Sequence, residues 1–208
     1  MLFRSSKENQ THLTPDQALT LLREGNDRFV HNLHTNLDLL DQMLESSAGQ
    51  FPFATILSCI DSRTAVELIF DQGLGDIFSI RIAGNVLNED ILGSMEFATK
   101  LVGTKVIVVL GHTKCGAIAG ACNNVELGHL SGLLSKIKPA IEQETTTTEN
   151  RNGKNLEFMK NVTEIHTSLV IQQIRKESPI IAELEANGDL KIVGALYDID
   201  AGIVHFHY

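Results

Sequence analysis

Three residues of this chain carry side chains suited to a soft metal ion: Cys59, His112 and Cys115. His112 and Cys115 stand three residues apart in His112-Thr113-Lys114-Cys115, so one loop can present an imidazole and a thiolate to the same ion. A histidine at a strand end or a buried cysteine is ordinary when met singly. Cys59 changes the argument, because it too closes an apolar run. Two thiolates and one imidazole suit zinc in a tetrahedral site. Structural zinc sites fill all four positions with protein, whereas catalytic ones keep one for water, so three ligands point to chemistry. Zinc lowers the pKa of a bound water from about 15.7 to about 7, which makes hydroxide available near neutrality.

Asp61 and Arg63 lie two and four residues beyond Cys59, within reach of the open side of such an ion. Arg63 can clamp the Asp61 carboxylate bidentately and keep it ionised. Asp61 then accepts a hydrogen bond from a zinc-bound hydroxide and orients its lone pair toward an electrophile. The same carboxylate can instead swing onto the ion as a fourth ligand and close the site. Cys122 matches no ligand position and reads as a packed thiol. Nothing in the sequence selects a proton shuttle from the remaining histidines.

The elements that must position these residues alternate between strand and helix. Phe53 to Ser58 is an apolar run that enters the Cys59 loop, and Lys105 to Leu110 is β-branched and apolar after its first residue, as a central parallel strand requires. Asp76 to Ile82 is a further strand, and Lys191 to Tyr197 with Ile203 to Tyr208 forms a strand pair turned at Asp200 and Gly202. Helices are predicted over 14–30, 64–70, 92–102, from Gly116 to Cys122, over 130–143 and 162–175, and after Pro179. Thr14, Pro15, Asp16 and Gln17 make a capped start for the first. Its apolar face has no obvious place in a compact single sheet. Thr145 to Asn155 is polar and reads as a surface loop. This pattern predicts an α/β fold, a central mostly parallel sheet flanked by helices with an N-terminal helical arm over about residues 1–35. Parallel sheets place their sites at the carboxyl ends of strands, where Cys59 and His112 both fall. Gly111 and Gly116 flank the second ligand pair and would let backbones approach closely.

The totals bound the partners. A chain of 208 residues fits one domain, 1–208. Seventeen basic against twenty-six acidic residues leave a net charge of −9, which argues against a nucleic-acid or anionic-membrane partner. No run approaches a membrane span and the first residues carry no apolar signal core, so the protein reads as cytoplasmic. Three cysteines suggest thiols kept for metal rather than a disulfide framework.

Cys59-Ile60-Asp61-Ser62-Arg63 and Gly111-His112-Thr113-Lys114-Cys115-Gly116, separated by Arg81 and Gly84-Asn85, resemble the β-class carbonic anhydrases. The resemblance runs from Thr14-Pro15-Asp16-Gln17 to Gly194-Ala195-Leu196-Tyr197-Asp198 and leaves out the stretch near 144–156. It implies one zinc ion per chain on Cys59, His112 and Cys115, with Asp61 and Arg63 as the catalytic dyad. The implied reaction is reversible hydration of carbon dioxide to bicarbonate and a proton by attack of zinc-bound hydroxide, with no organic cofactor. Phe78, Ala83 and Phe97 fall at positions implied for an apolar carbon dioxide pocket, and Gln50 where one branch hydrogen-bonds bicarbonate. Phe97 stands where that branch commonly has tyrosine. The chain has no tryptophan, which another branch uses to bind inhibitory bicarbonate, so the resting site is expected open and water-bound. The resemblance also implies a homodimer or homotetramer, with the N-terminal helix embracing its neighbour. Two rival readings keep the zinc: turnover of carbon disulfide or carbonyl sulfide, and a non-catalytic zinc protein in which the ion only holds loops.

Overall fold

The computed structural model describes residues 6–35 and 38–207. Its five strands are β1 (Ala54–Ser58), β2 (Ile77–Arg81), β3 (Val106–His112), β4 (Lys191–Tyr197) and β5 (Val204–His207), in the order β2-β1-β3-β4-β5. The first four run parallel, and β5 returns antiparallel to β4. The chain passes outward from β1 to β2, then crosses back to put β3 on the other side of β1. That reversal makes the β1/β3 seam the switch point at which sites of open α/β sheets form.

Side-chain alternation divides the core. Ala54 and Ile56 of β1, Val106, Val108 and Leu110 of β3, and Val193 and Ala195 of β4 share one cluster. Helix α2 (Pro15–Val30) covers it with Ala18, Leu19 and Leu22, joined by Val66 and Ile69 of α4 (Val66–Ile69). Ile107 and Val109 point the other way with Leu57 and Ile192, onto Met95, Val170, Ile174 and Ile181. Every residue of β1 and β3 is buried, as the unbroken apolar runs require of strands covered on both faces.

The apolar face of α2 therefore belongs to its own sheet, which corrects the expectation that it lacks a place there. Thr14 caps it with a full capping box. Asn26 fastens its far end: the amide donates to the carbonyls of Ile69 and Gly202 and accepts from the N–H of Val204. Gly25 is needed at the crossing, since a Cβ there would lie 1.8 Å from the Phe70 carbonyl oxygen. The short α1 (Lys7–His12) docks through buried Gln10 onto the Pro52 carbonyl, and α3 (Leu39–Ser46) buries no residue. Of the N-terminal arm, residues 1–5 lie outside the described residues, as does Tyr208 of the last strand.

Three helical stretches differ from the pattern reading. The run 92–102 divides into α5 (Glu89–Glu96) and a π-helical turn, Phe97–Val102, closed by Gly103 in the left-handed region. Leu130 to Gln143 forms α7 (Gly128–Ser135) and α8 (Lys138–Gln143), with Pro139 in the first turn of the second, where its missing N–H costs nothing. Between Cys115 and α7 lies α6 (Gly116–Cys122), as expected. The helix expected over 162–175 is longer, α9 (Leu156–Glu177), because Asn155 caps it from the loop. Pro179 opens α10 (Pro179–Ala186). Among the described residues, no helix is long and apolar enough to cross a membrane.

The 145–155 stretch is a surface loop built around a buried anchor. The Glu144 carboxylate accepts hydrogen bonds from the backbone and hydroxyls of Thr146 and Thr147, pairs with Arg151, and takes a longer contact from Asn161. Arg151 also donates to the carbonyls of Ile141 and Thr147 and lies over the Phe158 ring.

Candidate metal centre

Cys59 leaves the carboxyl end of β1, and His112 ends the adjacent β3, with Cys115 three residues on at the start of α6. The pairing Ser58↔Leu110 sets the two exits side by side. The ligand atoms of Cys59, His112 and Cys115 all lie within 4.8 Å of one another, and all three residues are buried. The two sulfurs are 4.0 Å apart.

The chemistry of this pocket fits a cation. His112 Nδ1 lies 2.9 Å from the Thr113 carbonyl, which can only accept, so that nitrogen carries the proton and Nε2 presents a lone pair. His112 Nε2 is buried without a hydrogen-bond partner, a costly arrangement unless something else takes the lone pair. Cys59 is the more acidic thiol: its neighbour Cys115 lowers it most, burial opposes, and His112 with the N–H groups of Gly84 and Asp61 adds to the lowering. Cys115 is pushed up, by sharing its proton with Cys59 and by burial. The Gly84 N–H reaches Cys59 Sγ at 3.3 Å.

Asp61 stands at the mouth. Its Oδ2 is 4.0 Å from His112 Nε2. Arg63 grips it from two sides, Nε to Oδ1 at 2.9 Å and Nη2 to Oδ2 at 2.7 Å, while the Arg63 N–H also donates to Oδ1. The Arg63 guanidinium holds the Asp61 carboxyl far below the ordinary carboxylate range, against a smaller effect of burial. Arg81 donates to the carbonyls of Cys59 and Asp61, and the Thr64 hydroxyl caps the same two carbonyls.

The structure thus draws Cys59, Asp61, Arg63, His112 and Cys115 together. Ala83 opens the single 3₁₀ turn Ala83–Asn85 that carries the Gly84 N–H. Phe78 of β2 and Phe97 of the π turn pack with ring centroids 6.3 Å apart, lining a cavity of about 360 Å³ that Arg81 borders. Gln50 does not join them. It lies exposed before the amino end of β1, nine residues before Cys59, with the whole five-residue strand between them, roughly 16 Å long at 3.3 Å per residue. Of the two flanking glycines, Gly111 admits a close approach, since its Cβ would meet Thr163 and Thr167 of α9 at 2.6 and 2.9 Å. Gly116 has open space around it, so close packing does not explain it.

His166 of α9 is one of the histidines among which the sequence does not choose; it lies buried with Nε2 2.9 Å from the Gly84 carbonyl. No local signal marks it, because the contact spans 82 residues. Arg81 carried a trace as the arginine before Ala83-Gly84-Asn85.

Comparison with known proteins agrees with this geometry. The family profile described as carbonic anhydrase matches residues 54–204, from the first residue of β1 to the first of β5. A carbonic anhydrase 2 of Mycobacterium tuberculosis is 36% identical over 189 residues, covering 90% of each chain. A carbonic anhydrase of Mycolicibacterium smegmatis is 34% identical over 193 residues, 91% of this chain and 92% of the other. In structure, a β-carbonic anhydrase of the fungal pathogen Aspergillus fumigatus superposes with a TM-score of 0.72 at 25% identity, over 92% of this chain and 89% of that one. A Cys-His-Cys pocket at the switch point of this sheet, matched along nine-tenths of its length, makes the chain a member of the β-class carbonic anhydrases.

Proposed function

We propose that the chain hydrates carbon dioxide reversibly to bicarbonate and a proton, with one zinc ion held by Cys59 Sγ, His112 Nε2 and Cys115 Sγ. The observation that carries this reading is the orphaned, buried His112 Nε2 facing two thiols, with the ionised Asp61 4.0 Å away. When bound, zinc acidifies a water toward neutrality and supplies the nucleophile. The chain's own residues do the rest. Asp61 Oδ2 would accept a hydrogen bond from that nucleophile and orient it, and Arg63 would keep the carboxylate charged and turned away from the ligands. Both Asp61 oxygens are engaged by Arg63, which supports an open fourth position rather than one filled by Asp61. Phe78, Phe97 and Ala83 are the apolar residues proposed to meet carbon dioxide; the cavity that the two rings share is bordered by Arg81, whose side chain donates to the Cys59 and Asp61 carbonyls.

Metal analysis and stopped-flow hydration of carbon dioxide test the reading together. The wild type should carry about one zinc per chain, and Cys59→Ala should lose both zinc and hydration. Full hydration by protein stripped of zinc sinks the proposal.

We infer further that the working form is a homodimer or homotetramer. Leu39, Leu40, Met43 and Leu44 of α3 are exposed, as are Phe97 and Leu101 beside the open edge of β2. Gln50 can contact bicarbonate only from a neighbouring copy, given its distance along β1. Sedimentation that yields a stable monomer with full activity would defeat the assembly reading. The three free thiols support a reducing compartment such as the cytoplasm.

A further inference from the structure

The Gly84 turn reaches the metal centre through one N–H, and its backbone conformation is an unusual one. Gly84 sits at φ +65° and Asn85 at φ +43°, two successive left-handed residues. The turn is closed by a short backbone bond, Asn85 N–H to the Ile82 carbonyl at 2.9 Å. Gly84 must be glycine, for its positive φ and because a Cβ would lie 3.0 Å from Ile137 Cδ1 and 3.1 Å from Ala117 Cβ. The residue that makes the turn possible is therefore also the one with the greatest backbone freedom. Something outside the turn has to fix it.

His166 supplies that restraint. Its Nε2 lies 2.9 Å from the Gly84 carbonyl, which can only accept, so Nε2 carries the proton. The Gly84 N–H and C=O belong to the two peptide units on either side of its Cα. Holding one limits the rotation that would turn the other away from Cys59 Sγ, 3.3 Å distant. The histidine itself is well held, 2% exposed on the 22-residue α9, and the same helix presses on Gly111 through Thr163 and Thr167, directly before His112. Burial pushes the imidazole down to about 4 against the opposing Gly84 hydrogen bond, so the ring is neutral near pH 7.

We propose that His166 is a positioning residue of the metal centre, aiming the Gly84 N–H at the Cys59 sulfur by fixing the Gly84 carbonyl. A hydrogen bond to a ligating thiolate tunes its donor strength, and outer partners of ligands commonly govern metal affinity. The inference rests on the zinc reading of Cys59, His112 and Cys115, and the test separates the two.

Zinc affinity by chelator competition, and the sulfur-to-metal charge-transfer band of the cobalt(II)-substituted protein, are measured for the wild type, His166→Leu, His166→Gln and His166→Asn. Glutamine carries an amide nitrogen at about the reach of Nε2; asparagine stops one carbon short. His166→Leu should bind zinc about 10- to 100-fold more weakly and shift the cobalt band, while His166→Gln should restore most of both. A folded His166→Leu protein with wild-type zinc affinity and an unshifted band overturns the inference. If leucine prevents folding, the polar pair decides: affinity and band recovered by glutamine but not by asparagine support it, and identical values for the two overturn it. A wild type that binds neither zinc nor cobalt overturns the reading of the centre, and the inference with it.

Discussion

Arg151→Met should destabilise the protein by about 3 kcal/mol. Arg151 faces Glu144, whose side chain is 1% exposed, and the pair sits at the base of the 145–155 loop. Removing one partner of a buried pair leaves an uncompensated charge, at a cost of about 3–5 kcal/mol. Two features set the expected value at the lower end. The Arg151 side chain is 32% exposed, so water screens part of the pair. Thr146 and Thr147 remain to bond the carboxylate. Against this, methionine keeps the apolar stem over Phe158 but loses the donors to the Ile141 and Thr147 carbonyls. For a chain of this size the change corresponds to a fall in Tm of about 6–12 °C.

The assay is urea unfolding of a double-mutant cycle, Arg151→Met, Glu144→Gln and both together. The double variant should recover most of the loss, because the cost lies in the stranded charge rather than in the missing contact. The pH dependence gives an independent check. Burial raises the Glu144 carboxyl, and the threonine and Asn161 hydrogen bonds more than offset it, bringing it to about 2 from an ordinary 4.5. A carboxyl lowered on folding contributes stability that is present above about pH 4.5 and is lost as pH falls toward 2. The gap between wild type and Arg151→Met should therefore narrow in that window. A loss below about 1 kcal/mol, as for an ordinary surface ion pair, or a gap that widens in acid, would refute the buried-anchor account.

Gly25→Ala should cost about 2–3 kcal/mol in thermal or urea unfolding, since α2 must lift off Phe70 to admit a Cβ 1.8 Å from its carbonyl oxygen; a neutral substitution would mean that the crossing is looser than described. Asp61→Asn should keep zinc near wild-type occupancy yet lower hydration by about 10²–10⁴-fold in stopped flow, and hydration within tenfold of wild type would remove Asp61 as the group that orients the nucleophile. His166 is held at about 4, below its ordinary 6.5, so it contributes stability above pH 6.5 that is lost as pH falls toward 4. Unfolding curves of wild type should show that slope and His166→Gln should lack it; an unchanged slope would assign the acid sensitivity elsewhere.

What could be read from the sequence was whatever a short window encodes. The β-branched run ending at Gly111-His112 announces a strand covered on both faces, and Thr14 with Gln17 announces a helix start, because each signal is complete within a few residues. The Cys59, His112 and Cys115 group was legible for the same reason, two short motifs at two strand ends. Their convergence depended on β1 and β3 being neighbours, which no local pattern states and which the crossover through β2 supplies. The apolar face of α2 was legible as a face but not as to what it covers, since Ala18 and Leu22 meet Phe53 and Phe70 only once the sheet exists. Gln50 depends on the fold in the opposite way: nine residues from Cys59 looks close in sequence, but a strand between them makes that separation an extended one.

The loop that has least in common with the family pattern bears on the centre through packing. Gly153 packs so closely on α6 that a Cβ would come within 2.7 Å of the Ala119 carbonyl oxygen, and its N–H donates to Asn123 Oδ1 at that helix's end. α6 begins at the residue after Cys115, so the Glu144–Arg151 anchor sets the loop that braces the helix that carries the third ligand. α9 grips the other two ligands, through Gly111 beside His112 and through His166 on the turn that meets Cys59. Asn155 links the two supports, because it ends the loop and caps α9. The proposed zinc site would need ligands that hold their geometry while one position stays open, and the fewer the ligands, the more of that rigidity must come from behind them. In this chain it comes from one long helix and one anchored loop that meet at a single cap.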